Sequence, residues 1–142
     1  MKTLRYWLFA LAIALPFPAE ASENFSNKDA FLKALNAIIG VENASFGTKE
    51  FDRIAVGQLN HSGACGPMLE TLFRKSEKYG IATDVTHAGS HLFISWIVGT
   101  DDQQIIEARV QIIMTDDWHT KDVYSFLKSR PAPLEGPMGK VQ

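Results

Sequence analysis

The strongest constraint on the fold is a change of hydrophobic period near Ile81. Before it, apolar residues recur every three or four positions; after it they alternate. The clearest alternating run is Gln104 to Met114, where Ala108, Val110, Ile112 and Met114 interleave with Glu107, Arg109 and Gln111. A strand with one buried and one solvated face reads this way, and such strands belong to antiparallel sheets. Two further strands are expected, over Ile81 to Thr86 and His91 to Val98, with turns around Ala88-Gly89-Ser90 and Gly99 to Asp102.

Ahead of the sheet region, Ala30, Phe31, Ala34, Leu35 and Ile38 have helical spacing between Ser26 and Ile39, and Gly40 stops the run. A second helix is expected from Pro67 to Tyr79. Pro67 suits a first helical position, Met68, Leu69, Leu72 and Phe73 form a stripe, and Gly80 suits the C-terminal cap. Ile54 to Leu59 is either a short strand or the end of a helix begun near Lys49, and Thr120 to Ser129 reads as a closing helix. The sum is an α+β domain, an antiparallel sheet packed against helices. Core packing is the default role of Phe93, Trp96, Trp118, Tyr124 and Phe126.

The first residues carry Lys2 and Arg5, an uncharged apolar run from Tyr6 to Leu15, and then Ala19-Glu20-Ala21. That order is a secretory signal peptide over residues 1–21, too short in its apolar part for a membrane span of roughly 20 residues. Removing 21 of 142 residues leaves 121, enough for one domain, expected over residues 22–130, with a flexible Pro- and Gly-rich tail over 131–142. The expected setting is the periplasm or the exterior of a bacterium, with no membrane contact after cleavage. The leader holds two of the 14 basic and one of the 16 acidic residues, so the remainder is mildly acidic and gives no footprint for nucleic acid.

Cys65 is the only cysteine, which rules out an internal disulfide. Gly63-Ala64-Cys65-Gly66-Pro67 sets its thiol at the start of a helix, where free backbone N–H groups and the helix dipole favour a thiolate. A nucleophilic thiol needs a base and a group to orient that base. His91 lies 26 residues on, at the start of a strand. A hairpin centred near Gly99 to Asp102 would set it nearly opposite Glu107. The bland alternatives are an inert helix-start cysteine, an ordinary strand histidine, and a glutamate on the solvated face it shares with Arg109 and Gln111. His87 and His91 are four apart but straddle Gly89, a turn and not a helix, so neither a metal nor any other cofactor is expected.

The run GACGPMLETLFRKSEKYGIATDV, followed by SHLFISWIV, resembles the core of the transglutaminase-like branch of the papain-type cysteine enzymes. In that family a G-x-C opens a helix ending in Gly-Ile, and the second of the strands that follow begins with histidine. Cys65, Gly80-Ile81 and His91 match in order. The family has aspartate, often followed by proline, where this chain has Glu107-Ala108. The resemblance, which spans residues 60–110, implies acyl transfer or amide hydrolysis on a protein or peptide substrate. Cys65 would be the nucleophile, His91 the base and then acid, and Glu107 the orienting group. The competing expectation is a non-catalytic α+β module of cystatin-like or nuclear-transport-factor-2-like type, binding an apolar ligand or a protein through its sheet. Oligomeric state is open at this level.

Overall fold

The structure, a computed structural model, describes residues 25–133. The expected leader, residues 1–21, and positions 134–142 of the expected tail lie outside the described residues. Helix α1 (Lys28–Ile39) begins where the Asn27 side chain accepts from the Ala30 N–H at 2.9 Å. It ends at Gly40, whose φ of 93° lets both its own N–H and that of Val41 return to the Asn36 carbonyl. Its buried residues, Phe31, Ala34, Leu35, Ile38 and Ile39, follow the spacing seen in the sequence.

The ambiguous segment is helix α2 (Lys49–His61), capped by Thr48, whose hydroxyl accepts from the Phe51 N–H at 3.2 Å. Phe51, Ala55 and Leu59 bury one narrow stripe, while Gly57, Ile54 and Val56 blur the helical signal. Helix α3 (Cys65–Lys78) starts two residues before the expected Pro67 and buries Met68, Leu72 and Ser76, again at intervals of four.

Four strands follow, β1 (Asp84–Ala88), β2 (His91–Gly99), β3 (Gln104–Met114) and β4 (Thr120–Pro131), each antiparallel to the next in the order β1-β2-β3-β4. β4 corrects the expectation of a closing helix over Thr120 to Ser129. Val123, Tyr124, Phe126 and Leu127 satisfy helical and strand spacing alike, but Thr, Val, Tyr and Phe fit a pleated surface, and β3 offers an open edge to pair with. β4 runs on to Pro131, the first residue of the expected tail.

The helices cover one face of the sheet. Leu92, Ile94, Trp96 and Val98 of β2 and Ile106, Ala108, Val110, Ile112 and Met114 of β3 are buried against Phe31, Leu35, Ile38, Phe51 and Met68. Trp96 is the largest fully buried side chain, and its indole N–H donates to Thr83 Oγ1 at 3.0 Å and Ser76 Oγ at 3.2 Å. It thereby joins the end of α3 to the sheet.

Helix α2 lies along the outer edge of β4 and occupies backbone groups of that edge at Thr120 and Ser125. Asp52 Oδ1 accepts from the Ser125 N–H at 3.0 Å and from its hydroxyl at 2.6 Å. The Asn60 amide donates to the Thr120 carbonyl and accepts from the Thr120 N–H, both at 2.8 Å, as a neighbouring strand would. An unpaired strand edge is a template for aggregation, and these contacts blunt it.

Candidate functional site

The three residues singled out for catalysis fall in three separate settings. Cys65 opens α3, half-buried and packed on the core, and its backbone N–H donates to the Trp118 carbonyl at 2.8 Å. Burial pushes its thiol pKa up, because desolvation disfavours the thiolate.

His91 pairs with Ile113 across the β2–β3 ladder, not with Glu107. Glu107 faces Ile97, six residues further along, a displacement of roughly 20 Å at about 3.4 Å per residue. The register differs from expectation because β2 continues through Gly99 and the chain turns over residues 100–103. There the Thr100 N–H donates to the Gln104 carbonyl at 3.0 Å, and Gln103 takes a φ of 63°.

His91 instead receives the Gln111 side-chain amide on Nδ1 at 3.3 Å, and Glu107 binds Arg109 Nε at 2.6 Å. Glu107, Arg109 and Gln111 share the face of the sheet turned away from the helices, as their alternation indicated. Among the described residues, no three His, Cys, Asp or Glu side chains converge on a point that could hold a metal ion.

That outward face is the larger feature. Phe93, Tyr124 and Phe126 are 40%, 52% and 50% exposed, against the expectation that all three belong to the core. Trp118 is also exposed; of the five aromatics assigned to the core, only Trp96 lies in it. Strand alternation is the cause. Phe93 sits between buried Leu92 and Ile94, and Tyr124 and Phe126 flank Ser125, which turns toward α2.

The ladder aligns Thr86, Phe93, Gln111 and Tyr124 in one row across the sheet and Asp84, Ser95, Arg109 and Phe126 in the next. Together they line an open groove of about 610 Å³. The signal that could have located this face is the register itself: once β2, β3 and β4 are aligned, every second residue falls on it.

A second hollow, about 480 Å³, lies beside α1 and is lined by Asn27, Leu32, Lys33, Asn36, Ser45 and Phe46 among others. Asn36 Oδ1 is buried without a hydrogen-bond partner among the described residues, while its amide donates to the Ala44 carbonyl at 3.1 Å. No helix among the described residues is long and apolar enough to cross a membrane. No family model, curated protein or solved structure matches the chain.

Proposed function

We propose that the chain is a non-catalytic binding module whose recognition surface is the outward face of its sheet, and that it works as an exported protein. The observation that carries this reading is the row-on-row cluster of Phe93, Tyr124 and Phe126 on β2 and β4, with Gln111 and Arg109 between them. Aromatic side chains supply large contact area at low entropic cost and dominate binding hot spots. Exposed aromatic side chains gathered on one face among polar groups are a usual mark of an interaction site. Here Asp84, Thr86 and Ser95 form one polar rim and Lys128 and Asp122 part of another.

The thiol acyl-transfer reading draws no such support. The protonated thiol of Cys65 is favoured by burial, and His91 is engaged with Gln111 on the solvated side of the sheet. A photoreactive phenylalanine analogue placed at position 126 in producing cells tests the proposal, with position 79 as the control because Tyr79 is comparably exposed at 41%. The binding reading expects an adduct from position 126 and none from position 79. Failure to form an adduct at 126 overturns it.

A further inference from the structure

We infer that the occupant of this face is a second copy of the chain, seated face to face with β4 antiparallel to β4 of the partner subunit. The inference rests on the proposed binding surface and names its partner. The outward residues of β4 read Asp122, Tyr124, Phe126, Lys128 and Arg130. A two-fold axis across the strand between Tyr124 and Phe126 brings Tyr124 over Phe126 of the partner subunit and Asp122 over Lys128 of the partner subunit. The same operation supplies each pair twice, as an isologous interface requires.

The charges suit this arrangement. Arg109 and Glu107 neutralise each other at 2.6 Å near the centre of the face, so no net charge there must be stripped of water. Neither Asp122 nor Lys128 forms an ion pair with another described residue, and Lys128, whose ammonium lies 5.9 Å from the centre of the Phe126 ring, stands beside the apolar part of the face with its charge unmatched by a carboxylate. At β3, Gln111 meets Arg109 of the partner subunit, so like charges do not oppose there.

The size also suits. Four strands about 4.8 Å apart, with β2 nine residues long, span roughly 19 by 30 Å. Two copies then cover about 1,100 Å² even without the relief of the side chains, above the roughly 1,000 Å² that a specific interface needs. Edge-to-edge pairing through β4 is hindered, because Asp52 and Asn60 already occupy the Ser125 and Thr120 backbone groups it would use.

Sedimentation equilibrium of the purified full chain, with charge reversals on β4, tests this. The native chain is expected to dimerise reversibly, reaching twice the mass of one chain. Asp122→Lys and Lys128→Asp alone should each weaken association about tenfold or more, because each sets like charges against one another twice. The double reversal should restore it to within about threefold. Within one chain the two residues are six apart on a single strand, roughly 20 Å, so rescue can only report contact between copies.

A native chain that stays monomeric overturns the inference, and so does a dimer indifferent to the single reversals or one the double reversal does not restore. A monomeric chain whose position 126 still forms its adduct, now with a different protein, would sink self-association and leave the binding surface standing. Absence of any adduct at 126 would remove both.

Discussion

Trp96 offers the most quantitative test of how the helices are fastened to the sheet. Its indole N–H is buried, with the residue only 1% exposed, and it has two acceptors, Thr83 Oγ1 at 3.0 Å and Ser76 Oγ at 3.2 Å. Ser76→Ala leaves the Thr83 hydroxyl in place, and Thr83→Val, which keeps the shape, leaves the Ser76 hydroxyl. Each single change should cost about 0.5 to 1 kcal/mol, the net worth of one hydrogen bond. The double variant strands the indole N–H inside the core, where an unsatisfied donor costs about 1 to 3 kcal/mol on its own.

The loss in the double variant should therefore exceed the sum of the singles by about 1 kcal/mol or more. Urea unfolding measures it, since a domain of this size has a slope of about 1 to 3 kcal/mol per molar urea. Additive losses, within about 0.5 kcal/mol, would show that the two hydroxyls act independently and that the shared-donor argument is wrong.

Removing the cover from β4, by Asp52→Ala together with Asn60→Ala, should destabilise the domain by about 2 to 4 kcal/mol and raise its tendency to aggregate, read by unfolding and light scattering. In the β3–β4 turn Trp118 holds a φ of 65°, a conformation that suits glycine, while its ring stands edge-on to His87 at 5.8 Å. Trp118→Gly should therefore unfold at higher denaturant than Trp118→Ala, by about 1 kcal/mol, the reverse of the usual order.

Cys65 should alkylate slowly at neutral pH, with an apparent pKa above the ordinary value of about 8.5 and a rate indifferent to His91→Ala. Because the folded chain holds this proton more tightly than the unfolded one, the thiol's contribution is intact below the unfolded pKa. It is lost as pH rises into the alkaline range, so stability falls there. A fast reaction that depends on His91 would restore the acyl-transfer reading.

Elements whose residues satisfy a single period are legible from sequence. In α1 the run Phe31, Ala34, Leu35 and Ile38 fits only a helix, and in β3 the alternation from Gln104 to Met114 fits only a strand. β4 was hidden because Val123, Tyr124, Phe126 and Leu127 fit both, and pairing with β3 decides between them. α2 was half-hidden for the related reason that it buries only a narrow stripe behind Gly57.

The site was least legible because it depends on register. The turn between β2 and β3 is set by hydrogen bonds from Thr100 and by Gln103 in a left-handed conformation, not by the glycine that precedes them. That shift separates His91 from Glu107, and the strand identity of β4 turns Tyr124 and Phe126 outward beside Phe93. Composition alone sends aromatic residues to the core, and only strand parity shows which of them face solvent.

The recognition surface is tested most directly by hydroxyl-radical labelling of the chain in intact producing cells and as dilute purified protein. Phe93, Tyr124 and Phe126 report on the face, and Tyr79 and Trp118, 41% and 45% exposed on other parts of the fold, serve as internal controls. The binding account predicts that the three face residues are shielded in cells and oxidised when dilute, while the two controls react alike in both. Equal labelling of all five residues under both conditions would contradict it.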